Sequence, residues 1–118
     1  MFEWNLASDP WCGPHTDGGE ARCVGALTIG DGISRNVAYY VIAHAAKFVR
    51  PGSVRIFSQA DAPLHSVAFL APDGQIVLLV LNEADQARSF SIAFRDRHAD
   101  VRLPAAALLS CVWPAAAT

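Results

Sequence analysis

The stretch that decides the fold is Ser66-Val67-Ala68-Phe69-Leu70-Ala71-Pro72-Asp73-Gly74-Gln75-Ile76-Val77-Leu78-Leu79-Val80-Leu81. Two apolar runs flank Pro-Asp-Gly, and each turn residue has its own reason to be there. Proline pre-sets φ, aspartate bonds its own backbone, and glycine takes a positive φ without strain. The stretch therefore predicts a β-hairpin with strands over 66–71 and 75–81. The second run is apolar on both faces, so its strand is expected to be central and covered on both sides.

Working outward, residues 82–86 are polar and read as a turn. Phe90, Ile92 and Phe94 alternate with Ser89, Ser91 and Ala93, which is the period of a strand with one buried face. Residues 96–100 are charged and read as another turn. Val101-Arg102-Leu103 and the run from Leu108 to Trp113 complete the set, and Val54 to Ser58 precedes it. Val77, Leu79, Leu81, Phe90, Ile92 and Phe94 are the expected core between two layers. Several short strands with closely spaced turns predict a mainly β chain, an antiparallel β-sandwich with at least five strands after Gly52.

Before Gly52 the period changes. Val37, Tyr40, Val41, His44, Ala45 and Phe48 recur at helical spacing, with Ser34 or Asn36 as N-cap. Lys47 and Arg50 suit the C-terminal end of the dipole, and Pro51-Gly52 stops the helix. One helix of about 12 to 15 residues is expected over 36–49. Residues 2–7 read as a short strand, and Ser8 to Glu20 as a loop rich in Gly, Pro and Asp. Residues 23–29 read as an extended run that ends at Gly30-Asp31-Gly32. The Ala-rich tail, 115–118, is expected to fray.

Composition narrows the functional classes. The 118 residues fit one domain and leave no room for a whole (β/α)₈ barrel, which takes about 250. A hydrophobic share of 53% with 17% charged residues excludes a disordered chain. The net charge of −2 and the spread of eight Arg and one Lys leave no basic footprint for nucleic acid. No apolar run approaches the roughly 18 residues of a membrane span. Met1-Phe2-Glu3-Trp4-Asn5 has no basic start followed by an apolar stretch, so no signal peptide is expected.

Chemistry is sparse. Cys12, Cys23 and Cys111 form no C-x-x-C pair, so no metal site is expected. Cys12 and Cys23 share one loop-rich stretch and can be either independent thiols or a bridge. Cys111 sits in an apolar run as a small hydrophobe. His15, His44, His65 and His98 are far apart, and His44 falls on the apolar helix face. Glu3, Asp9, Asp17 and Glu20 cluster near the N-terminus as turn-forming carboxylates. No nucleophile elbow, dinucleotide fingerprint or P-loop is present, and no cofactor is expected.

The residues themselves go further. Trp4-Asn5-Leu6-Ala7, Gly13-Pro14 and Arg35-Asn36-Val37-Ala38-Tyr39-Tyr40 resemble segments of glycoside hydrolase family 30, the family of glucosylceramidases and related retaining β-glycosidases. So do residues 43–55, Val67-Ala68-Phe69-Leu70 with Pro72-Asp73-Gly74, and Val80-Leu81-Asn82. The ordered set covers Trp4 to Trp113. The resemblance implies that this is the C-terminal portion of such an enzyme. Residues 1–52 would be the last strand, loop and helix of a (β/α)₈ barrel, and residues 53–114 the C-terminal sandwich.

The resemblance further implies that both catalytic glutamates lie upstream, so this chain holds no catalytic residue. Trp4, at the end of the last barrel strand, would line the sugar pocket. His15, with Thr16 and Asp17, would rim it. The intact enzyme would take a β-glucoside or related β-glycoside, and intact relatives would be secreted or periplasmic. The helix face of Val37, Tyr40, Val41, His44 and Phe48 would need a cover, either the missing barrel portion, the chain's own sandwich or a second copy. An alternative of another class is a stand-alone, non-catalytic sandwich that binds carbohydrate or a protein. An exposed row of aromatic residues on one sheet face would favour that alternative.

Overall fold

In the computed structural model the described residues are 5–19 and 21–115. The chain forms two compact units, Met1–Ala43 and His44–Thr118.

The first unit holds a small sheet of β1 (Ala7–Ser8), β2 (Leu27–Ile29) and β3 (Ile33–Arg35) in that order. β1 runs parallel to β2, and β2 antiparallel to β3. Gly25 makes the first pairing possible. A Cβ there would meet the Ala7 Cα at 2.7 Å, so only a glycine lets the two chains pass this closely. Of the strand expected over 2–7, residues 2–4 lie outside the described residues, Asn5 and Leu6 are not strand, and only Ala7 falls in β1. The extended run expected over 23–29 pairs only from Leu27 onward. β3 was not expected. Its Ser34 was assigned to a helix cap, but Gly30 N donates to Gly32 O and turns the chain back into a hairpin.

The helix α1 spans Val37–Phe48, 12 residues. Asn36 precedes it, as the cap reading required, but spends its side chain elsewhere. Its Nδ2 donates to Gly25 O at 2.7 Å and to Thr28 Oγ1 at 3.0 Å, which moors the helix start to β2. Of the expected apolar face, Val37 (80% exposed), Tyr40 and Val41 stand in solvent, while His44 and Phe48 are half-buried.

The second unit is the sandwich. One sheet is ordered β4 (Val54–Ile56), β5 (Leu64–Leu70), β6 (Gln75–Asn82) and β9 (Ala107–Pro114). The other layer is the hairpin of β7 (Arg88–Phe94) and β8 (Arg97–Leu103). All their pairings are antiparallel. Six strands follow Gly52, and no helix does among the described residues. β6 is central, with β5 and β9 on either side, as its two-sided apolar run required.

The β5–β6 turn closes as its residues dictate. Gly74 N donates to Ala71 O at 2.9 Å, Ala71 N donates to Gln75 O at 2.8 Å, and Gly74 takes φ +79. A Cβ on Gly74 meets no atom within 4 Å, so Gly74→Ala tests backbone conformation alone. We expect it to cost about 1 kcal/mol, read as a lower urea midpoint with an unchanged slope.

Three expectations need correction. Of the charged segment 96–100, residues 97–100 are strand and not turn. They lie on an outer layer whose solvent face accepts charge, and the turn shrinks to Arg95 and Asp96, with Arg95 at φ 56. A Ser91 Oγ to Asp100 Oδ1 hydrogen bond ties the two strands on that outer face. The expected core set was also drawn across two faces. The side chains between the layers are Ala68, Leu78, Val80 and Leu103, with Phe90, Ile92, Leu109 and Trp113 packed against them. Val77, Leu79 and Leu81 alternate to the opposite face of β6, where Val77 is 1% exposed and Leu81 39%. Phe90, Ile92 and Phe94 are half-buried, because they border a cavity of about 160 Å³ between the layers.

Candidate functional site

The loop after β1 builds the candidate site. Asp9 organises its first turn. Asp9 Oδ1 accepts from Trp11 N and Gly13 N, both at 2.8 Å, and Asp9 N donates to Gly13 O. This carboxylate is thus a turn former, as the sequence suggested. Beyond it, Gly19 N donates to Thr16 O at 2.8 Å. Asn5, Cys12, Pro14, His15, Thr16, Gly19 and Cys23 line a cleft of about 380 Å³ in the first unit.

His15 is placed in this cleft, exposed, with Nδ1 3.4 Å from Thr16 O. Thr16 lines the cleft with it, and Asp17 does not. Trp4 lies outside the described residues, but its neighbour Asn5 lines the cleft. Sequence reasoning missed Asn5 as a cleft residue. The signal was its place directly after Trp4 in the quoted motif. Amide, hydroxyl and imidazole groups together offer donors and acceptors to a polyhydroxylated ligand.

Among the described residues, no carboxylate lines this cleft or the cavity in the sandwich. Two carboxylates elsewhere hold structural partners. Asp73 accepts from Gln75 N and Nε2, both at 3.1 Å, and Glu83 Oε2 pairs with His65 Nε2 at 2.8 Å on the surface. No cluster of three His, Cys, Asp or Glu able to hold a metal occurs among the described residues.

The remaining singled-out residues are packing elements. His44 Nδ1 lies 2.6 Å from Ser110 Oγ, a link from α1 to β9. Trp113 stacks edge-on with Phe94 at 5.7 Å. Burial pushes the Cys111 thiol above its ordinary pKa, in keeping with a small hydrophobe. The outer face of the β7–β8 hairpin carries Ser89, Ser91, Ala93, His98, Asp100 and Arg102, all exposed. It presents no row of aromatic residues, the feature that would favour a stand-alone carbohydrate-binding sandwich. No described helix is long and apolar enough to cross a membrane.

Antiparallel sheets with one short helix define the class as a mainly β domain of the sandwich type. Comparison with known proteins makes it specific. Residues 52–111 match the model of the glycosyl hydrolase family 30 beta sandwich domain. The chain belongs to glycosyl hydrolase family 30.

Its relatives are much longer. An endo-1,6-beta-D-glucanase of Aspergillus fumigatus is 34% identical over 87 residues, which is 67% of this chain and 18% of the relative. The lysosomal acid glucosylceramidase of Mus musculus is 31% identical over 87 residues, 71% of this chain and 17% of the relative. Among solved structures, an endo-beta1,6-glucanase superposes with a TM-score of 0.83 at 31% identity, over 96% of this chain and 26% of that one. SrfJ from Salmonella typhimurium superposes with a TM-score of 0.87 at 30% identity, over 94% and 25%. The chain thus spans less than a fifth of the length of these curated relatives.

Proposed function

We propose that this chain is the C-terminal portion of a retaining β-glycosidase acting on β-glucosides or related β-glycosides. Residues 1–52 are read as the last strand, loop and helix of its barrel, 53–114 as its sandwich, and 115–118 as a tail. The observation that carries this reading is the extent of structural likeness. It covers almost the whole chain, residues before 52 included, at about 30% identity.

In this reading hydrolysis proceeds by double displacement. One carboxylate attacks the anomeric carbon and a second protonates the leaving oxygen, then deprotonates the attacking water. Both carboxylates belong to the part of the enzyme outside this chain. The chain contributes recognition. Trp4 stacks on the C–H face of a pyranose, and Asn5, His15 and Thr16 bond its hydroxyls. The exposed Val37, Tyr40 and Val41 supply an apolar face for the rest of the barrel. The sugar named in both curated relatives, a glucosyl unit, supports a β-glucoside as the substrate class.

The test is to read the coding sequence adjoining this chain and express the two together. A neighbouring barrel with two glutamates is expected. The joined protein should hydrolyse aryl β-glucosides, and Trp4→Ala should lower kcat/KM at least about tenfold through lost stacking. An unrelated neighbouring sequence, or a joined protein in which Trp4→Ala changes nothing, would overturn the reading.

A further inference from the structure

Cys12 and Cys23 line the same cleft, and neither is in a disulfide. Their convergence is built by backbone bonds at both ends of the loop. On one side Cys12 N donates to Asp9 O at 3.1 Å, inside the turn that Asp9 Oδ1 holds shut. On the other, Gly25 N donates to Ser8 Oγ at 3.1 Å and Ala26 N to Asn5 O at 3.1 Å. Both cysteines are therefore carried by segments anchored to residues 5–9. The described residues between them adopt neither helix nor strand. Nothing regular has to break for that loop to draw in to the roughly 4.4 to 6.8 Å Cα separation of a disulfide.

We propose that Cys12 and Cys23 are a redox-switched pair that closes into a disulfide across this cleft. Cys23 is exposed and Cys12 half-buried, which sets the order of events. The Cys23 thiolate attacks one sulfur of a small-molecule disulfide, forms a mixed disulfide and releases one thiolate. The Cys12 thiolate then attacks the Cys23 sulfur and expels the second. The protein loses two hydrogens, and the small disulfide is reduced to two thiols. The cross-link restrains a loop of about a dozen residues and fixes the cleft wall that carries His15. Cys111 sits in the other unit on β9, where burial disfavours its thiolate, and serves as an internal reference. The proposal does not depend on the glycosidase reading.

The test uses the whole folded chain equilibrated in a buffer of oxidised and reduced glutathione, then alkylated, unfolded and cut with trypsin. Cleavage after Arg22 separates peptide 1–22, which holds Cys12, from 23–35, which holds Cys23. Only a disulfide keeps the two joined. The expected result is a fall from three free thiols to one, with peptides 1–22 and 23–35 linked and Cys111 alkylated. Cys12→Ser should leave glutathione on Cys23, and Cys23→Ser should leave Cys12 alkylated. Three free thiols in the oxidised buffer would overturn the proposal. So would a wild-type chain that keeps glutathione on Cys23, a link to Cys111, or a dimer joined through Cys23.

Discussion

Asn82→Ala is expected to destabilise the chain by about 3 to 4 kcal/mol, the largest loss from any single side chain described here. Asn82 is 0% exposed at the end of β6. Its Nδ2 donates to Gln86 O and Pro104 O, both at 2.8 Å, and to Leu103 O at 3.3 Å. Its Oδ1 accepts from Ala84 N at 3.1 Å. One amide therefore joins the loop after β6 to the end of β8 and the connection into β9. Alanine would strand these backbone groups in a place water reaches poorly, and each orphaned group costs about 1 to 3 kcal/mol. Asn82→Asp should not rescue, because a carboxylate offers no donor to three carbonyl oxygens. Urea denaturation of both variants is the check, with midpoints lower by about 2 M. A loss under about 1 kcal/mol for either would mean that the loops do not depend on this amide.

The same residue shows how much of the fold was legible. Asn82 was visible in the sequence as the polar stop of an apolar run, and as part of the motif Val80-Leu81-Asn82. Its role as a three-way clamp was not visible, because its partners lie 4, 21 and 22 residues away. The hairpin at Pro72-Asp73-Gly74, the central position of β6 and the single helix were legible, because turn chemistry and period are local. The errors were non-local. Which face of β6 meets Phe90 depends on where the second layer lies, and one period-two pattern serves both faces. The strand over 97–103 was hidden by its charges, which an outer layer tolerates. β3 was hidden by a cap signal at Ser34 that the structure uses for a hairpin.

The candidate site was legible in outline only. His15 lines a cleft of the first unit, and a place at the rim of a sugar pocket was implied for it by the family resemblance alone. Asn5 was not read, and Cys12 and Cys23 were placed in one loop with a bridge left open, because the cleft depends on the close pass of Gly25 over Ala7. Gly25 lies 17 residues from Ser8, to whose Oγ it donates, and nothing in the local sequence announces that contact.

The proposed reading gives this chain a part in sugar recognition and no catalytic carboxylate pair. Retaining hydrolysis needs two carboxyl groups about 5 to 5.5 Å apart across the scissile bond. No described carboxylate lines the cleft of Asn5 and His15. Stacking and hydroxyl contacts alone cannot form or break a glycosyl-enzyme bond. The expected effect is therefore the loss of essentially all of the enzymatic acceleration, which spans at least about six orders of magnitude for typical enzymes. The decisive measurement is the rate at which the purified chain hydrolyses aryl β-glucosides, aryl β-xylosides and a fluorescent glucosylceramide, with Glu3→Gln as the control. The account predicts no turnover above the uncatalysed rate for either protein. Turnover that copurifies with the chain and disappears in Glu3→Gln would contradict it and make Glu3 a catalytic group.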